Sequence, residues 1–177
     1  MKQDLLIVDG YNMIGFWPEL VRLKNQDRLE EAREQLLKRL SSYGKYEGIE
    51  IIVVFDAQLV PGITQSYRQH QLEVIFTEEG VTADSYIEKL AGERNNIVTQ
   101  VSVATSDLAE QWVIFSQGAL RISARELYKL VEKNDQNIEV HRKEIHFSHF
   151  RRNSPWNTEQ LERLSGKLNE LSHKKRK

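Results

Sequence analysis

Apolar and polar positions alternate in blocks along the chain. Leu5-Leu6-Ile7-Val8, Ile49 to Phe55, Leu72 to Phe76, Val98 to Ala104 and Leu120-Arg121-Ile122 are short apolar runs rich in β-branched residues, and each predicts a strand. Between them the spacing turns helical. Leu29, Ala32, Leu36, Leu40 and Tyr43 fall on one face of a helix that an Asp27-x-x-Glu30 capping box would open and Gly44 would stop. Thr82 is placed to cap a helix whose inward face is Ala83, Ile87, Leu90 and Ala91. A further helix is expected from Thr105-Ser106-Asp107, with Leu108, Trp112 and Phe115 on one side, Asp107 and Glu110 as its capping box and Gly118 beyond its end. Ser123-x-x-Glu126 then caps a helix bearing Leu127, Leu130 and Val131. Strands alternating with helices across short loops predict an α/β sandwich with a mainly parallel sheet.

Other stretches are less regular. Met13 to Gln26 holds Gly15, Trp17 and Pro18 without a clean period and reads as a loop or short helical turns. Ala57 to Gln71 contains Pro61-Gly62 and reads as a mobile flap near the strand ends, where Arg68 could meet a phosphate; an ordinary surface connection is the plainer alternative. From Asn134 the character changes. His141 to Arg152 interleaves basic residues with aromatics, which suits phosphate contact plus stacking on unpaired bases, so Arg142, Lys143, Arg151 and Arg152 join Arg68 as candidate RNA contacts. An edge strand with a solvated basic face explains the same residues. Ser154-Pro155 should start a last helix, with Leu161, Leu164, Leu168 and Leu171 on one stripe.

The 177 residues fit one domain, expected over 1–172 with 141–172 packed on it and 173–177 as a basic tail. Without cysteine there is no disulfide framework, thiolate metal site or cysteine nucleophile, and cytoplasm is the expected compartment. Met1-Lys2 runs into a short strand holding Asp9, too short and too acidic to be expected as a signal peptide, and no apolar run reaches membrane-spanning length, so neither secretion nor a membrane partner is expected. The net charge of −1 hides an asymmetry: residues 141–177 carry ten Lys/Arg against four Asp/Glu, a net of +6, and residues 1–140 carry 15 against 22, a net of −7. The acidic part could concentrate metal and the basic part meet phosphate.

Four carboxylates occupy equivalent places. Asp9 follows the first strand and Asp56 the second, while Asp84 and Asp107 open the helices beyond the third and fourth. Each alone has a mundane role as turn former or helix cap. In a parallel sheet, however, all four positions lie on the edge where ligands bind. Clustered carboxylates raise one another's pKa unless a cation offsets their charge. An all-oxygen set completed by water suits magnesium or manganese better than zinc. Such an ion polarises a phosphodiester and stabilises its leaving oxygen, which is nuclease chemistry. Asn12 would orient an acid or a phosphate, and Ser106 would hold Asp107 or donate to the substrate.

Val8-Asp9-Gly10-Tyr11-Asn12, Val54-Phe55-Asp56-Ala57, Thr82-Ala83-Asp84 and Ala104-Thr105-Ser106-Asp107, in that order, resemble the YacP-like branch of the NYN nucleases, relatives of the PIN domains. The likeness spans nearly the whole chain. It implies a three-layer α/β/α PIN-like fold and a metal-dependent endoribonuclease that cuts single-stranded RNA, with Mg2+ or Mn2+ held by Asp9, Asp84 and Asp107 and with Asn12 and Asp56 in support. It further implies association with the ribosome and cleavage of mRNA in the decoding (A) site, with no action on DNA expected.

Rival readings meet obstacles in the same residues. An aspartyl-nucleophile phosphatase needs a second acid two positions after Asp9, where Tyr11 stands. There is no Gly-rich phosphate loop of Walker or dinucleotide type and no G-x-S-x-G elbow. His141, His146 and His149 lie in a basic setting without cysteine, which argues against zinc. The alternative from another class is a non-catalytic RNA- or ribosome-binding module whose acids serve only as caps.

Overall fold

The computed structural model describes residues 3–56, 66–70, 72–107 and 118–153, together with Arg163 and Gly166. The chain divides into two compact units, Met1–Asp135 and Gln136–Lys177. In the first, β1 (Gln3–Asp9) leads into α1 (Gly10–Phe16), α2 (Pro18–Asn25) and α3 (Leu29–Glu47). Then follow β2 (Glu50–Phe55), β3 (Ser66–Gln69), β4 (Leu72–Phe76), α4 (Ala83–Arg94), β5 (Thr99–Ala104) and β6 (Leu120–Ile122). The next helix, α5, runs from Ala124 to Asn153.

The strands form one sheet in the order β3-β4-β2-β1-β5-β6. Every pairing is parallel except that of β3 with β4, so the expected mainly parallel α/β architecture is present. β1 lies between β2 and β5, with Asp9 opposite Val54 and Val8 opposite Ala104. Alternate residues of each strand face opposite layers. Leu6, Val8, Val53 and Phe55 pack with Met13, Trp17, Leu36, Leu40 and Leu127 on one side. Leu5, Ile7, Val54 and Val103 pack with Ile87 and Ala91 of α4 on the other. Burial on both faces is why the strands read as continuous apolar runs.

Several elements depart from the sequence reading. Met13 to Gln26 is two short helices that meet at Trp17. Met13, Ile14, Trp17 and Leu20 are fully buried there, and Pro18 starts α2, where its missing N–H costs nothing. Asp27 has a positive φ of 56° and caps nothing; α3 begins at Leu29, and Arg28 before it grips Glu31 through its guanidinium. Gly44 does not end α3. It is buried where an added Cβ would stand 3.0 Å from Ile51 Cδ1, and the left-handed turn comes at Gly48, φ 70°. Ser66–Gln69, expected in a flap, is the antiparallel edge strand β3. Gln136–Asn153 of the second unit is helical, so His141 to Arg152 is not an edge strand. The flap over 57–65, the helix expected over 108–117, and the final leucine stripe and basic tail lie outside the described residues.

Candidate active site

The site begins where β1 stops. Asp9 is in extended backbone and caps α1, its Oδ1 accepting the Asn12 backbone N–H at 3.0 Å. This is the turn-and-cap role a lone aspartate would have. Burial sets it apart, because the residue is only 7 % exposed. Desolvation pushes its carboxyl up to about 6, with the fields of Asp84 and Asp56 adding to the rise and backbone N–H bonds from Asn12 and Tyr11 opposing it. Gly10 must be glycine: a Cβ there would meet Phe55 Cε1 at 2.2 Å. The chain can therefore turn into α1 directly over the end of β2.

The other acids arrive from neighbouring strand ends. Asp56 follows Phe55, the last residue of β2. Asp84 sits in the first turn of α4, which Thr82 caps by accepting the Ser85 N–H. Its carboxyl is also raised, by partial burial first and then by Asp107 and Asp56. Asp107 lies three residues beyond β5. Each of the four acids thus lies within the field of at least one other, as their common edge of the sheet requires. Among the described residues, no three acidic or histidine side chains are close enough to form a ready cage for an ion.

Magnesium needs no such cage, since it keeps several waters and binds through one or two carboxylates. The donor set here is all oxygen, and two of its members are pushed toward neutrality by burial first and by the other acids second, a repulsion that a cation offsets. In those two respects the residues fit a hard divalent ion. Asp9, Asp84 and Asp107 are the residues that would hold it.

Asn12 works in both directions. Its backbone N–H supports Asp9, and its side-chain Oδ1 accepts the Ser106 N–H at 3.0 Å, ninety-four positions along the chain. The Ser106 hydroxyl accepts the Ala124 N–H at 3.0 Å and so caps α5. Asn12 Oδ1 and Ser106 Oγ thereby both hold the β5 loop in place, and the Ser106 hydroxyl, an acceptor here, keeps its own O–H to donate. Thr105, which sequence reasoning passed over, is fully buried and accepts the Asp107 N–H at 3.1 Å, which fixes the backbone of that acid.

Two more residues at this edge had no role assigned to them in the site from the sequence. Tyr11 stacks its ring edge-on against Phe55, centroids 5.0 Å apart, and its hydroxyl accepts Arg33 Nη1–H at 3.2 Å. Burial raises the phenol's pKa, Arg33 opposes that, and Asp56 adds to it. Arg33 gives no sequence signal, because it is brought here only by the packing of α3 on α1. Among the candidate RNA contacts, Arg68 is exposed on β3 opposite Glu73, whereas Ser66, opposite Ile75, stands nearer the acidic edge. Arg142 is exposed on α5. Lys143, Arg151 and Arg152 are on the same helix, in the second unit, and their side chains lie outside the described residues.

Comparison with known proteins converges on one group. The YacP-like NYN domain family matches residues 6–169. An uncharacterized protein, YacP of Bacillus subtilis (strain 168), is 56% identical over 136 residues, spanning 77% of this chain and 79% of that protein. A crystal structure of Rae1 (YacP) from Bacillus subtilis superimposes with a TM-score of 0.74 at 46% identity, over 98% of this chain and 95% of that one. A second, of a single-substitution mutant of the same protein, gives 0.73 at 51% identity, over 81% and 84%.

Proposed function

Because the chain belongs to the YacP-like NYN domain family and carries its PIN-like, nuclease-like fold, we propose that it is a divalent-metal-dependent endoribonuclease of single-stranded RNA. The carrying observation is Asp9, a buried carboxylate raised to about 6 at the centre of a four-acid edge. A structural cap has no need of that environment. Mg2+ or Mn2+ at Asp9, Asp84 and Asp107 would polarise the scissile phosphodiester and offset the carboxylates' repulsion. Asn12 keeps Asp9 and the β5 loop in register, and Thr105 fixes the backbone that presents Asp107.

The substrate is mRNA and the ribosome the partner in this reading, supported by the basic surplus of residues 141–177. No DNA and no membrane is involved, and the site of action is the cytoplasm; no described helix is long and apolar enough to cross a membrane. The test is incubation with translated and naked transcripts, with and without Mg2+ or Mn2+. Asp9→Asn and Asp84→Asn should each lower cleavage by about a hundredfold or more while RNA binding survives. A non-catalytic RNA-binding module has one observation on its side, the lack of a ready three-residue cage among the described residues. That reading wins if the unsubstituted protein cleaves nothing under either ion.

A further inference from the structure

Arg33 stands out among the arginines of the first unit. It is half-buried on α3, and its only polar contact among the described residues is the bond from Nη1 to the Tyr11 hydroxyl. Arg28 and Arg39, on the same helix or at its start, are both paired with carboxylates. Arg33 makes no ion pair among the described residues. A guanidinium carries five N–H donors in a flat fork, and here the bond to a neutral phenol uses one. Withdrawing such a group partly from water without a counter-charge is unfavourable unless an anion arrives later.

Its position supplies the anion's identity. Tyr11 is two residues after Asp9, and its ring rests on Phe55, the residue before Asp56. The fork is therefore presented beside the acidic edge, where a backbone phosphate flanking the scissile bond would lie. Acidic neighbours alone repel RNA, so a cleavage site built on them needs a fixed cation close by to hold the strand. We propose that Arg33, held by the Tyr11 hydroxyl, anchors a backbone phosphate of single-stranded RNA on the α3 side of the acid cluster. The assignment rests on the RNA-cleaving reading above and adds a contact that reading does not contain.

Binding of a labelled single-stranded oligoribonucleotide to the Asp84→Asn protein, followed over a salt series, tests it without cleavage. Adding Arg33→Ala should weaken binding about tenfold and reduce the slope of log affinity against log salt by about 0.7, the share of one phosphate contact. Arg33→Lys should keep the slope and recover part of the affinity, and Tyr11→Phe should cost a few-fold with the slope kept. A purely structural arginine would not move the slope. If Arg33→Ala fails to fold by circular dichroism, Arg33→Lys and Tyr11→Phe decide, and parental affinity in both overturns the anchor. Unchanged affinity and slope in a folded Arg33→Ala protein also overturn it. Cleavage by the unsubstituted protein is scored separately: Arg33-dependent binding without any cleavage removes the nuclease reading and leaves the anchor, and cleavage with Arg33-independent binding does the reverse.

Discussion

At the scale of single residues, Asp9 carries a conflict between stability and chemistry. In the folded chain its carboxyl titrates near 6, against about 3.8 for an ordinary aspartate. The folded state therefore holds the extra proton between those values, and the cost of burying the charge is absent below about pH 4 and complete above about pH 6. That cost is on the order of 2–3 kcal/mol. Asp9→Asn, which still offers an oxygen to the Asn12 N–H, should melt roughly 5 °C higher than the parent at pH 8 in chelator, and the gap should close by pH 4. An equal gap at both pH values would show that the carboxyl is not raised. Asp9 and Asp56 stand out in the sequence because they follow apolar strands, Asn12 because it follows Asp9 closely, and Asp84 because it opens a helix. Thr105, Tyr11 and Arg33 were not legible there, since their roles depend on hydrogen bonds to partners that sequence spacing does not bring near.

Among the elements, legibility followed burial more than end signals. The core faces of α3 and α4 are buried as their periodicity predicts, and the Ser123–Glu126 box forms as read, with Ser123 N–H and Oγ–H both donating to Glu126 Oε2 at 2.8 and 2.6 Å. The similar-looking box at Asp27 does not form, because the backbone there turns left-handed and α3 starts after it. Gly44 misled for a related reason: glycine ends helices and also permits close packing, and only contact with Ile51 tells which. Ser123→Ala should cost about 1 kcal/mol, read as a melting point lower by roughly 3 °C. The continuity of α5 past Asn134 was hidden by its basic and aromatic composition, which suits either an exposed helix or a strand.

Across the first unit, Arg39 ties distant segments together. From α3 it pairs with Glu19 of α2 and with Asp135 of α5, the latter at 2.9 Å, and its guanidinium lies 5.0 Å and 5.4 Å from the ring centres of Trp17 and Tyr128. Arg39→Ala should destabilise by on the order of 2 kcal/mol in thermal melting, and Arg39→Lys should recover less than half, because an ammonium cannot reproduce the flat fork. The fold class was legible from alternation alone, whereas the strand order that makes β1 central was not, since no local pattern records which strands become neighbours.

That central position governs assembly. β1 precedes both of its neighbours in sequence, and its second flank is covered only when Thr99–Ala104 docks. A growing polypeptide thus carries a greasy segment with at least one open side for about ninety residues, and no length that stops before Asp107 holds all four carboxylates. Maturation should be a late, single event, and nascent fragments that stop before β5 should be clients for chaperones.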